Sequence, residues 1–143
     1  MNFKIKLRKT ERQKTVRELD KLYSELVRKR AMKLVGGCQR CKTPKRSWKE
    51  LDCAHFHSRR KYSVRWHELN ACGLCGGCHR HIDDNAYEKV EFFRELLNGE
   101  FDKLNIEAEI LSSYSTNDYK LIEIYLKQKI EELLKQETGA LIE

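Results

Sequence analysis

The sequence predicts an α+β chain, mostly helical, whose centre is held by a metal rather than by a large apolar core. Three observations carry this. Apolar residues recur at helical spacing near both ends of the 143 residues. The segment from 38 to 81 loses that period and holds cysteines, histidines and β-formers instead. All six cysteines lie between Cys38 and Cys78, beside the only proline, Pro44. In a reducing compartment such a cluster points to metal rather than to disulfides.

From Thr10 to Leu34 the chain reads as one helix, with Val16, Leu19, Leu22, Tyr23, Leu26 and Val27 three and four apart and Gly36-Gly37 as its stop. Its other face is Lys and Arg, which suits either solvent or phosphate. Lys49–His57 and Ser63–Trp66 read as two short strands joined by the basic run Ser58-Arg59-Arg60-Lys61. Asp83–Leu97 returns to helix with Val90, Phe93, Leu96 and Leu97, closed by Asn98-Gly99, and 102–111 forms a short helix. A last helix starts at a capping box of Ser115 and Asp118 and runs to about Lys135, with Leu121, Ile122, Tyr125, Leu126, Ile130, Leu133 and Leu134 inward. Three regions follow within one compact domain: a basic N-terminal helix (1–36), a central unit (37–98) and an acidic helical region (99–143).

Charge sharpens this division. The net +7 hides 12 basic and 4 acidic residues in 1–34, 10 and 3 in 35–81, and 7 and 15 in 82–143. The first two regions face a polyanion and the third opposes them. No apolar run reaches the roughly 18 residues of a membrane helix and no charged-then-apolar signal segment opens the chain, so a soluble intracellular protein with no membrane partner is expected.

Cys38-x-x-Cys41 and Cys75-x-x-Cys78 are two knuckles, the donor set of a closed structural zinc site that clamps the start of the central unit to its end. Cys53 reads as a buried thiol and Cys72 as a spare. Cys72, Cys75 and Cys78 also recur every three residues, as in iron–sulfur proteins, although that reading leaves Cys38 and Cys41 without a role.

A second constellation is His55, Asn70 and His79. The run Asn70-Ala71-Cys72-Gly73-Leu74-Cys75-Gly76-Gly77-Cys78-His79 resembles the N-x4-C-x-x-C-H half of zinc-stapled HNH endonucleases, with His55 where their first histidine stands. Asp52-Cys53-Ala54-His55-Phe56-His57-Ser58-Arg59, followed by Arg65-Trp66 and Asn70, is similar to the core of the phage lambda NinG (Rap) recombination endonucleases. The likeness covers residues 38 to about 87, where Asn85 and Tyr87 match only loosely. Two departures stand out: His79 replaces the usual Asn of NinG proteins, and Ala54 sits where many HNH enzymes carry a metal-binding acid.

The resemblance implies a small ββα-metal core, cleavage of branched DNA recombination intermediates, and the cytoplasm, that of a host cell if the chain is phage-encoded. The residues carry their own chemistry. A neutral His55 suits deprotonation of an attacking water. His79 and Asp83, four apart on one helix face, can grip a Mg²⁺ or Mn²⁺ ion, with Asp52 as a further ligand. Asn70 can hold the loop or orient the His55 ring. Arg59, Arg60, Lys61 and Arg65 suit phosphate positioning, and His57 shares the strand face of His55. His67 and His81 read as ordinary surface histidines, Trp48 and Trp66 as core or base-stacking residues.

No small-molecule cofactor is expected. The partner implied is DNA, and the last helix would pack on the core or on a second copy in a homodimer. The competing reading, prompted by Ala54, is a zinc-stapled DNA-binding module without catalysis.

Overall fold

A computed structural model describes residues 10–140, with side chains as far as 135; residues 1–9 of the basic region and 141–143 of the acidic one lie outside the described residues. The elements in order are α1 (Glu11–Val35), β1 (Asp52–His55), β2 (Ala71–Leu74), α2 (Gly76–Asp84), α3 (Ala86–Leu97), α4 (Glu100–Ala108) and α5 (Thr116–Ala140). The architecture is α+β: five helices around one two-stranded antiparallel sheet.

α1 starts at a capping box, in which the Thr10 hydroxyl accepts from the Gln13 amide and the Gln13 side chain answers the Thr10 amide. It stops at Gly36, whose φ of 67° admits a left-handed residue and returns its N–H to the Met32 carbonyl. Leu19, Tyr23, Leu26 and Val27 are buried with Trp66, Ala71, Tyr119 and Leu126, so α1 packs on both β2 and α5. The Ser115–Asp118 box opens α5 as expected.

Both strands differ from those expected: of Lys49–His57 only Asp52–His55 is strand, with Trp48–Glu50 a 3-10 turn, and the second strand lies elsewhere. Ser63–Trp66 is not extended: Tyr62–Val64 is a 3-10 turn. Val64 enters a cluster with Leu104 and Ala108, while Trp66 enters the cluster around α1, so the two side chains are drawn into different cores. The strand that pairs with β1 is β2, in the register Asp52 to Leu74 and His55 to Ala71. Its composition has little β-propensity; burial of all four residues and pairing to β1 override it. Arg30, on the face expected to meet solvent or phosphate, donates to the carbonyls of Glu68 (2.8 Å) and Ala71 (3.0 Å) and ties the start of β2 and the loop before it to α1.

Two further corrections concern helices. The helix expected over Asp83–Leu97 is divided: Asp83 and Asp84 end α2 and Ala86–Leu97 form α3, because Asn85 leaves helical geometry (φ −129°, ψ 85°) and its side-chain amide donates to the His81 carbonyl at 2.7 Å. In α5, Leu126 is buried, but Leu121, Tyr125 and Leu134, expected inward, are 64%, 42% and 53% exposed. α5 packs on α1 and, through Tyr119 and Tyr125, on Trp66 and Glu68, contacts that cover a stripe narrower than its apolar face. Among the described residues no helix is long and apolar enough to cross a membrane.

α1 and β2 approach closely at Gly73, where a Cβ would lie 2.5 Å from the Ala31 Cβ. Gly73→Ala should therefore widen the α1–β2 contact and destabilise the chain by about 1–3 kcal/mol in urea unfolding; an unchanged midpoint would contradict this packing.

Candidate metal centre and active site

The first knuckle is built by tight backbone geometry. Gly37 lies so near Thr43 that a Cβ would meet the Thr43 carbonyl oxygen at 2.0 Å, and Lys42 takes a left-handed φ of 63°. The turn closes with Lys42 N–H on the Cys38 carbonyl (2.9 Å) and Cys38 N–H on that of Thr43 (3.2 Å). Gln39, buried between the knuckle and the sheet, exchanges two 2.9 Å bonds with Gly73, its amide to the Gly73 carbonyl and its side-chain oxygen from the Gly73 N–H.

The second knuckle is the start of α2. Cys75 is the N-cap residue, and its sulfur accepts from the Cys78 N–H at 3.4 Å. The sulfurs of Cys38, Cys41, Cys75 and Cys78 all lie within 4.8 Å of one another, and Cys41 and Cys75 are 3.8 Å apart. A tetrahedral ion with sulfur ligands at ~2.3 Å sets its sulfurs about 3.8 Å from each other, so this donor set can hold zinc. Hydrogen bonds from Thr43 bring the Cys41 thiol down to about 6, while burial pushes Cys78 up to about 12. Arg40 supplies a donor to the Cys78 sulfur at 3.4 Å. Cys72 stands outside the group, on buried β2, which removes the reason for the three-residue cysteine ladder. Cys53 is half-buried in the sheet, and burial drives its thiol to about 12.

Between α1, β1 and α2 lies a cleft of about 680 Å³ whose walls include Arg28, Asp52, His55, Arg59, His79, Asp83 and Lys89. His55 ends β1, its ring 5.6 Å from that of Tyr23. Burial, and then the nearby Arg59 charge, lower its pKa from the usual 6.5, so it is neutral near pH 7. His79, one turn into α2, bonds Asp52 through Nδ1 (3.1 Å) and Asp83 through Nε2 (3.2 Å). Asp83 in turn receives Lys89 at 3.0 Å. Asp52, His79 and Asp83 thus form one oxygen-and-nitrogen cluster that lines the same cleft as the histidine that ends β1.

Asn70 acts on the loop rather than on the His55 ring. Fully buried, it accepts from the His57 N–H (2.9 Å) and donates to the His57 carbonyl (3.1 Å), fixing the chain just past His55. His57 is past the end of the strand, off the cleft, with its Nε2 2.7 Å from the Asn105 side-chain oxygen. Arg65, expected at phosphate, is held inside: it grips Asp20 at 3.0 and 2.7 Å and donates to the Arg59 carbonyl at 2.7 Å. Of the basic run only Arg59 lines the cleft; Arg60 and Lys61 are exposed, and Lys61 pairs with Glu109 at 3.4 Å. Ala54 is buried in the core with Leu51 and Leu74, so a carboxylate in its place would not reach the cleft.

The sequence reading missed Arg28 and Lys89. Arg28 carried one available signal, its place on the polar face of α1; Lys89 carried none, because only the break at Asn85 turns α3 toward Asp83.

Cys75→Ala should remove zinc, about one ion per chain in the parent, and unfold the segment between the knuckles. Metal analysis with circular dichroism reads both; full zinc and an unchanged spectrum would refute the site. No family model, curated protein or solved structure matches this chain.

Proposed function

We propose that this chain is a metal-dependent DNA endonuclease of the zinc-stapled HNH type, with β1, β2 and α2 as its ββα-metal core. The observation that carries the reading is the cleft that neutral His55 shares with the Asp52–His79–Asp83 cluster, beside four thiols able to hold zinc. The resemblance to NinG endonucleases extends it to branched recombination intermediates.

In this reading His55 takes a proton from a water molecule. The resulting hydroxide attacks phosphorus, the bond to the 3′ oxygen breaks, and that oxygen leaves carrying a proton from solvent, with phosphate retained on the 5′ end. His79 and Asp83 would hold Mg²⁺ or Mn²⁺, with Asp52 on Nδ1 orienting the imidazole. The ion, when bound, supplies Lewis-acid stabilisation of the phosphoryl and leaving oxygens. Arg59, 63% exposed at the cleft, positions the phosphate.

The alternative is a zinc-stapled DNA-binding module without catalysis. Its motive was the missing acid at Ala54, and Asp52 at the cleft is an acid in a neighbouring position that weakens it.

His55→Ala should lower Mg²⁺- or Mn²⁺-dependent cleavage of branched DNA by about 10²–10⁴-fold, with zinc content and DNA affinity kept. Undiminished cleavage would sink the mechanism; DNA binding by the parent chain without cleavage under any divalent cation would favour the alternative. Because a base must be neutral to act and the His55 pKa lies below its ordinary value, the acid limb of the rate profile should fall below pH 6.5. A midpoint above that pH would assign the limb to another group.

A further inference from the structure

We infer that α1 is a phosphate track that leads a duplex DNA arm into the cleft, with Arg28 and Arg17 as its anchors; this rests on the nuclease reading above. Arg17, Lys21, Ser24 and Arg28 follow one another at spacings of three and four, which puts them on a single stripe of α1. Ser24 and Arg28 line the cleft itself. Arg17 lines a second depression of about 210 Å³ farther along the same helix, together with Asp20 and Arg65.

The linings of the two hollows are linked by an ion pair: Asp20 of the second is approached at 3.9 Å by Arg59 of the cleft and is neutralised by Arg65. The α1 acids Asp20 and Glu18 flank this stripe and both are answered, Asp20 by the two guanidinium groups and Glu18 by Lys21 at 3.4 Å.

Arg28 is set in place before any ligand arrives. Its Nε donates to the Ser24 carbonyl at 3.2 Å, and its guanidinium lies 4.6 Å from the centre of the Trp48 ring. Neither Arg28 nor Arg17 has an acidic partner among the described residues, whereas Lys14, Lys21 and Lys29 on the same helix each have one. A pre-ordered, unpaired guanidinium at a cleft is suited to phosphate.

From Arg17 to Arg28 the helix rises about 16 Å. That is the axial length of about five phosphates on one strand of B-form DNA, far beyond a single nucleotide. The ligand that fits is therefore a run of several backbone phosphates, as one strand of a duplex arm presents, and not a single nucleotide.

The test is anisotropy of a labelled 20-base-pair DNA duplex across a salt series, without added Mg²⁺, for the full chain and for Arg17→Ala, Arg28→Ala, the double variant, and Arg94→Ala on α3 as a charge-matched control. Zinc content and melting midpoint confirm folding, and exposed Arg17 is the variant least able to disturb it. Each single variant should bind about threefold to tenfold more weakly and lower the slope of log K against log salt by about 1, the double variant by about 2, and Arg94→Ala by nothing.

Unchanged slopes in folded variants would overturn the track, as would equal losses in Arg94→Ala or tighter binding of a duplex RNA of the same sequence. Cleavage with Mg²⁺ separates the two readings. A parent chain that cuts DNA while the variant slopes stay flat loses the track alone; predicted slopes with no cleavage cost the nuclease reading alone.

Discussion

Cys75 is the point on which the rest of the molecule depends. Its sulfur belongs to the four-thiol group and also caps α2, so the bond that closes the metal site is adjacent to the one that starts the helix carrying His79 and Asp83. A 40-residue stretch around two four-residue strands buries too little apolar surface to order itself. A zinc ion held between its ends by the four cysteines would replace that missing core. Cys75 sets the origin of α2, and hence the one-turn offset at which His79 meets both Asp52 and Asp83.

Polar side chains do the remaining positioning, each by satisfying backbone that the short sheet leaves unpaired. Gln39 occupies an edge of β2 at Gly73, Arg30 takes two carbonyls of the loop before β2, and Asn70 takes both polar groups of His57. Buried groups of this kind tolerate few alternatives, because an unmet donor or acceptor in the interior costs about 1–3 kcal/mol. They give His55 a fixed place at the end of β1 and leave the cleft side chains free of structural duty. Arg65 shows the opposite assignment: a cation just past the basic run that is drawn inward by Asp20 and Trp66, with the nearby Arg59 left at the cleft.

Much of the site was legible because it depends on spacing along the chain. Two residues between the cysteines of each knuckle define a turn that can present two thiolates, and four residues from His79 to Asp83 define one helical face. Thr10, Gly36 and the Ser115–Asp118 pair marked helix ends through local hydrogen bonds. The second strand was not legible. Ala71–Leu74 is a strand because it is enclosed by α1 and paired with β1, and its residue types carry no trace of either. His57 failed for a related reason: alternation along a strand holds only while the strand lasts, and β1 ends at His55.

By itself, then, the sequence determined the four-cysteine set, the limits of α1, the start of α5 and the residues of the His79 cluster that lie on one helix, since all of these follow from contacts within a few residues. The tertiary structure decided which cations meet the cleft and which are absorbed into the fold. Arg28, Arg59 and Lys89 come from three separate elements and converge on one space, while Arg30 and Arg65 turn inward to carbonyls and to Asp20. Charge at a position is written in the sequence; the partner that neutralises it is chosen only when distant segments pack.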